Sequence, residues 1–253
     1  MSSSSPAAAA AESVAGSLPA GQRFDKDYAY GAYTADYFNG LLRKRKKLSQ
    51  RWRFKWIDRC MRPRAGDKIV DLGCGAGLVA RHFLEKGAEV HGVDLADEGI
   101  RTAIELNRDF PLGSFKVGDA SKCDHLAGAS FDKACSVDVI EHCGHDVMLD
   151  IFGEAHRLLK TGGLYFVYTP NPKHWIERFK DWGFILKQDP THTGLRPVRP
   201  ILEGLEQKGF EIVESVQPAS MIPVFNWVER AWSVLPGVGQ LGVYRIAVLA
   251  RKK

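Results

Sequence analysis

The run K-I-V-D-L at residues 68–72 is short, apolar and β-branched. Glycines follow it, and L-V-A-R-H-F-L-E-K-G then places apolar residues at helical spacing before a glycine stop. This predicts strand, loop and helix. A-E-V-H-G-V-D-L reads as a second strand, G-I-R-T-A-I-E-L-N-R as a helix, G-S-F-K-V-G-D as a third strand and F-D-K-A-C-S-V-D-V-I as a fourth. V-M-L-D-I-F-G-E-A-H-R-L-L-K-T-G-G is expected to be a helix ended by its glycines, and L-Y-F-V-Y-T-P a fifth strand. The helix R-P-I-L-E-G-L-E-Q-K-G-F, the strand E-I-V-E-S-V-Q and a last strand over 239–251 complete the pattern. Repeated strand–helix units predict an α/β fold: a doubly wound, mainly parallel seven-stranded sheet with an antiparallel C-terminal strand and helices on both faces. In such sheets ligands sit outside the carboxyl ends of the strands.

Around this unit the organisation is simpler. Residues 1–22 are Ser, Ala, Gly and Pro with no large apolar cluster, and read as a flexible tail. Residues 23–66 read as an N-terminal helical cap carrying the basic run 43–47, and 67–253 as the main domain. Two segments, near 171–199 and 218–238, break the rhythm and read as inserted lids. With 253 residues, 45% of them hydrophobic, the chain can bury a sizeable core. The net charge of +5 equals the five cations of the run 43–47. A nucleic-acid binder spreads such charge over a face, so no nucleic-acid partner is expected. The run is a solvated face, a contact for an anionic membrane or a localisation signal, whereas the apolar segment 221–235 packs on the core, closes the pocket or dips into a bilayer surface as an amphipathic helix. Five cysteines without a C-x-x-C pair suggest neither a disulfide framework nor a thiolate metal site. With no secretory or mitochondrial signal and no long apolar span, a cytoplasmic location is expected.

The sharpest local signal is D-L-G-C-G-A-G-L at 71–78, where the first strand gives way to a helix. Glycines there permit a tight turn and close backbone approach to a ligand, with helix-terminal N–H groups free to donate. Nicotinamide and flavin binders use a similar turn. Here, however, the spacing is G-x-G-x-G, whereas the loop that receives a pyrophosphate reads G-x-G-x-x-G. Asp71 at the strand's end would repel a phosphate and attract a cation, by roughly 4 kcal/mol for a contact of ~4 Å before desolvation. Asp94, after the second strand, is placed to accept both hydroxyls of a ribose. Asp119, after the third, is placed to accept an exocyclic amine. A ribose, an amine-bearing base and a cationic tail describe an adenosyl amino acid with a sulfonium.

In these motifs the chain resembles the class I S-adenosylmethionine-dependent methyltransferases, from about residue 68 to 168 and more loosely to 251. D-L-G-C-G-A-G, V-D-L, G-D-A-S and V-D-V-I-E-H fall in that family's order. The resemblance implies a Rossmann-like fold, S-adenosylmethionine as cofactor and methyl transfer as activity. It also implies that Gly73, Gly75 and Gly77 line the methionyl part and that Asp71 helps hold its ammonium group. Asp94 would bind the ribose with Leu95 in the same site, Asp119 and Ala120 the adenine edge, and Val137 would lie near the cofactor.

Methyl transfer from a sulfonium is an in-line displacement, so alignment supplies much of the rate, up to roughly 7–11 kcal/mol in model systems. A phenol or alcohol must also lose its proton to a base within reach. His142, after the fourth strand, is the first candidate, with Glu141 beside it and His192 as second choice. Asp138, Glu141 and His142 also resemble, with Asp for Glu, the E-x-x-E-H segment with which ubiquinone-pathway O-methyltransferases hold a divalent cation. D-V-x-E-H is common among metal-free relatives, and no metal is assigned. Tyr28, Tyr30 and Tyr33, the end of the fifth strand at 169–171, and His174, Trp175, Trp182 and His192 are expected on the acceptor side. The expected reaction is O-methylation of a small aromatic or quinone-like acceptor. Carbon or nitrogen methylation, or a non-catalytic cofactor-binding module, are the alternatives. A nucleic-acid amino-methyltransferase would call for N/D-P-P-Y/F where this chain reads S-V-D-V-I-E-H.

Overall fold

The computed structural model describes residues 34–43, 48–175, 192–219, 227–229 and 239–253. Of the sequence features above, the tail at 1–22, Tyr28, Tyr30, Tyr33, Trp182, most of the basic run and most of 221–235 lie outside the described residues. The strands are β1 (Lys68–Leu72), β2 (Glu89–Asp94), β3 (Gly113–Val117), β4 (Phe131–Val137), β5 (Leu159–Pro170), β6 (Phe210–Val216) and β7 (Arg245–Lys252). They form one sheet in the order β3-β2-β1-β4-β5-β7-β6. β1 to β5 pair in parallel, and β7 runs antiparallel to both β5 and β6. The chain therefore reverses its direction of winding between β1 and β4, the place where a doubly wound sheet opens a crevice at its carboxyl edge.

The helices are α1 (Ala35–Arg43), α2 (Leu48–Met61), α3 (Leu78–Leu84), α4 (Asp97–Asn107), α5 (His145–Leu158) and α6 (Val198–Gln207). Strand alternation divides the core into two layers. Ile69, Cys135, Phe166, Tyr168 and Leu249 face α2 and α3, burying Ile57, Met61, Val79 and Phe83. Val70, Ala134, Tyr165, Val167 and Val248 face α5 and α6, burying Met148, Phe152, Leu158, Ile201 and Leu205. Ile57 and Met61 are 0% and 1% exposed, so α2 packs into the same core as the sheet although it falls in the N-terminal cap segment.

Two boundaries differ from the sequence expectation. The helix before β5 stops at Leu158, ahead of its glycines, because buried Leu159 pairs with Phe131 and is extended at once. Gly162 and Gly163 then fall inside β5, where the register shifts between Phe131 and Lys133 on the partner strand. Lys252 Nζ donates to the His156 and Leu159 carbonyls (2.7 and 2.8 Å), closing the helix end that the glycines were expected to close. The last strand begins at Arg245, and residues Gly239–Gly242 form a 3-10 turn instead. All five cysteines are buried and free.

Candidate functional site

A cavity of about 580 Å³ opens at the switch point. Its floor is the glycine loop. Gly73 N–H and Cys74 N–H both donate to the Val93 carbonyl (2.8 and 3.0 Å), and Gly75 N–H donates to Asp94 Oδ2 (2.8 Å). The loop is thus fastened to the end of β2. Gly73 has φ 85°, and a Cβ there would meet Val139 Cγ2 at 2.5 Å, so the position accepts no side chain. Asp94 Oδ1 accepts from Ala96 N–H at 2.8 Å, leaving each carboxylate oxygen a second lone pair on the cavity wall. Burial raises this carboxyl's pKa, although the Ala96 and Gly75 N–H groups oppose the rise. Asp119 Oδ1 accepts from the Ser121 N–H and hydroxyl (2.9 and 2.7 Å), an Asx-type turn that fixes it at the far end of the cavity. Leu95, Ala120 and Val137 line the same space.

Asp71 and Gly77, which the sequence reading placed against the ligand, are not among the lining residues. Asp71 is 1% exposed and lies beneath the loop, where its Oδ1 accepts from the Cys135 thiol at 3.4 Å. Burial pushes its carboxyl up to about 7; the Cys135 hydrogen bond opposes this and Asp94 adds to it. The acidic group the structure brings nearer to the loop's ligand side is Asp94.

Beyond β4 the chain makes a 3-10 turn, Ile140–His142. The return limb of the first insertion is stitched to this turn. Gly194 N–H donates to the Glu141 carbonyl (2.7 Å), and Arg196 donates to the Ile140 and Cys143 carbonyls (2.8 and 2.6 Å). Gly194 lies so close to the Cys143 carbonyl that a Cβ would collide with it. This stitching sets the His192 ring edge-on to His142, with centroids 4.9 Å apart and planes at 66°. Glu141 is 1% exposed and accepts from Thr169 Oγ1 at 2.9 Å through Oε2. Its Oε1 is buried and has no hydrogen-bond partner among the described residues. Burial, with the charge of Asp138 adding and that of His142 opposing, pushes this carboxyl up to about 7. Glu141, His142 and His192 all line the cavity.

Asp138 is drawn away from this group. Its backbone is left-handed (φ 55°), and its carboxylate bridges Arg53 of α2 and Arg245 of β7, the latter at 2.7 Å. Burial opposes its ionisation, but the two guanidinium groups outweigh it and hold the carboxyl below the usual range. The trio Asp138, Glu141 and His142 is therefore not the cluster that forms. Among the described residues, the set whose ligand atoms fall within 4.8 Å of one another is Glu141, His142 and His192.

His174 and Trp175 also depart from expectation. Both ring nitrogens bond Glu229 Oε1 (3.1 and 2.7 Å), in a buried anchor between the two insertions, and neither residue lines the cavity. Tyr37 and Phe38 of α1 and Gln50 and Arg53 of α2 do line it. Sequence reasoning missed them, and the only signal was their place on helices just ahead of the first strand.

The methyltransferase-domain family model matches residues 42–215. The chain belongs to this methyltransferase family. It is 29% identical over 189 residues to the ubiquinone biosynthesis O-methyltransferase of Ruegeria pomeroyi, covering 68% of this chain and 69% of that one. It is 26% identical over 213 residues to 24-methylenesterol C-methyltransferase 2 of Oryza sativa subsp. japonica, covering 76% of this chain and 52% of the rice protein. The chain thus spans about half the length of the sterol enzyme. Among solved structures it resembles phosphoethanolamine N-methyltransferase 2 of Haemonchus contortus in complex with S-adenosyl-L-methionine, with a TM-score of 0.68 at 20% identity. That match covers 93% of this chain and 61% of the nematode one. It also resembles the [4+2]-cyclase SpnF, with a TM-score of 0.60 at 19% identity and 80% of each chain covered. The methyltransferase domain is Rossmann-like, and S-adenosylmethionine is its cofactor. The residues present fit that group: a loop whose Gly73 and Gly75 line the cavity, and two carboxylates, Asp94 and Asp119, with lone pairs to spare along its wall.

Proposed function

We propose that the enzyme methylates a hydroxyl oxygen of a small aromatic, catechol-like acceptor. When bound, S-adenosylmethionine supplies the electrophilic methyl group. Asp94 would then hold the ribose hydroxyls and Asp119 the adenine amine, while Gly73 and Gly75 allow the methionyl chain to approach the backbone. These contacts fix the direction from which the acceptor must come: past the end of β4, over the turn Ile140–His142.

The observation that carries the reading is the unbonded, buried Oε1 of Glu141 on the cavity wall, beside His142 and His192. A carboxyl pushed up to about 7 is matched to accept a proton near neutral pH. Thr169 fixes one oxygen and leaves the other for the acceptor's O–H. His142 and His192 are the alternative resting places for that proton, one ring against the other. A neutral amine, already nucleophilic, would have less need of such a group. The kinship with an O-methyltransferase at 29% identity supports the oxygen acceptor. Glu141→Gln should lower kcat for a catechol about 100-fold or more while leaving S-adenosylhomocysteine affinity within a few fold. Unaltered kcat would remove the carboxyl from the chemistry.

The trio Asp138, Glu141 and His142 is not proposed as a cation site, because Asp138 is committed to two arginines. Among the described residues no helix is long and apolar enough to cross a membrane.

A further inference from the structure

The positive charge of this chain is concentrated in one stretch. Residues 34–64 hold eleven Lys and Arg against Asp36 and Asp58, a balance of +9 in a chain whose total is +5, so everything outside the stretch is net acidic. It contains α1 and α2; the four cations 44–47 join the two helices in sequence and lie outside the described residues. Helix α2 has two faces. Gln50, Ile57, Cys60 and Met61 are buried on one of them. The opposite stripe, at helical spacing, is Leu48, Arg51, Trp52, Lys55 and Arg59. Trp52 is half-buried and the other four are exposed, Leu48 at 49%. Arg51 and Lys55, and Arg43 at the end of α1, form no ion pair among the described residues. The acids at the border of the stripe are already matched: Asp58 meets His82 and Lys86 (2.8 and 3.2 Å), and Glu214 meets Arg59 (2.6 Å). The stripe therefore keeps a positive excess.

We infer that the outer face of α2 docks the protein onto an anionic lipid surface. Cations one turn apart along a single stripe meet a plane of headgroup charge together, and each adds an attraction that falls off within a Debye length. Leu48 and the Trp52 ring share the stripe with them, the combination of apolar or aromatic bodies and cations by which a helix lies in a membrane interface. The other large polyanion is a nucleic acid, whose unpaired bases stack on open aromatic faces. Here Lys55 Nζ lies 4.8 Å over Trp52 and the Arg59 guanidinium 5.0 Å over Trp56, and the two indoles meet edge-on with centroids 6.0 Å apart. Both rings are half-buried, and each already has one of the chain's own cations over it. The inference is independent of the acceptor's identity, because none of the five stripe residues is among those lining the cavity.

The test is co-sedimentation of the full chain with vesicles of phosphatidylcholine alone and of phosphatidylcholine mixed with phosphatidylserine, beside a uridine oligonucleotide supplied at the same concentration of anionic groups. The mixed vesicles should bind at least about tenfold more tightly than the neutral ones, and less tightly as salt is raised. Arg51→Gln combined with Lys55→Gln should weaken that binding roughly 10- to 30-fold, at about fivefold for each cation near the surface. Both side chains are exposed and away from the cavity, so calorimetry should find S-adenosylhomocysteine affinity in the double variant within about twofold of wild type. Equal binding of the two kinds of vesicle by the wild-type protein, or binding of neither, overturns the inference and needs no variant to fold. Undiminished binding of the mixed vesicles by a double variant that still binds S-adenosylhomocysteine also overturns it, because the attraction then comes from elsewhere than α2. Tighter binding of the oligonucleotide than of the mixed vesicles, lost in the double variant, overturns it in favour of a nucleic-acid surface.

Discussion

Replacing Asp94 by Ala isolates the group on which the cofactor end of the cavity depends. In the folded protein this carboxylate accepts from Gly75 N–H and Ala96 N–H, each at 2.8 Å, and so ties the glycine loop to the end of β2. Alanine leaves both N–H groups without their acceptor and removes the remaining lone pairs offered to a ribose. Hydrogen bonds to a charged group contribute roughly 1.5–3 kcal/mol each and are not additive when they share one carboxylate. The expected loss in cofactor affinity is about 2–4 kcal/mol, roughly 30- to 1,000-fold in Kd. Asp94→Asn keeps one acceptor oxygen and should fall between wild type and alanine. Titration calorimetry with S-adenosylhomocysteine reads the effect, with circular dichroism and a thermal melt reporting whether the sheet is intact. A folded Asp94→Ala protein binding within threefold of wild type would refute the assignment, whatever happened to turnover.

Other outcomes follow from the same structure. Because Glu141 titrates near 7 when folded against 4.5 as its ordinary value, burial disfavours its charged form. Stability should therefore fall as pH rises from about 4.5 to about 7 and level off above. Asp71, also pushed up to about 7, adds to the same window. Urea unfolding of Glu141→Gln across that range should show a shallower fall, and the rise of kcat with pH through about 7 should disappear in this variant. Gly73→Ala, at φ 85° and against Val139, should abolish cofactor binding and cost roughly 1–3 kcal/mol of stability by denaturant melt. Ile57→Ala should cost about 2–5 kcal/mol, since that α2 residue is wholly buried in the sheet's core; a loss under about 0.5 kcal/mol would mean the N-terminal helix is dispensable. Exhaustive EDTA treatment should leave methyl transfer within twofold, with restoration by added Mg²⁺ as the contrary result.

What the sequence made legible was local. The alternation of apolar residues in β1, β4, β5 and β7 is the same alternation that splits the core between α2–α3 and α5–α6, and the glycine loop marks where the sheet opens. Asp94 ends β2, and Asp119 and the turn at 140–142 come just after β3 and β4, so all three sit at the carboxyl edge and their place could be read from order alone. What could not be read depends on contacts distant in the chain. Asp138 looked like a ligand beside Glu141 until arginines 85 and 107 residues away claimed it. Asp71 looked like a ligand contact, yet the loop that follows it folds over and buries it. The helix expected to end at Gly162 ends at Leu158, because pairing with Phe131 and capping by Lys252 outweigh a glycine signal. His192 was named for its chemistry, but its meeting with His142 rests on Gly194 and Arg196 stitching the insertion to the turn.

The most direct measurement is the site of the new bond. Incubating the enzyme with a catechol and S-adenosylmethionine carrying a ¹³C-labelled methyl group, then recording the carbon spectrum of the product, should show the label as an aryl methoxy group. Label on a ring carbon or on nitrogen in a matched panel of acceptors, or none transferred by protein that binds the cofactor, would contradict the account.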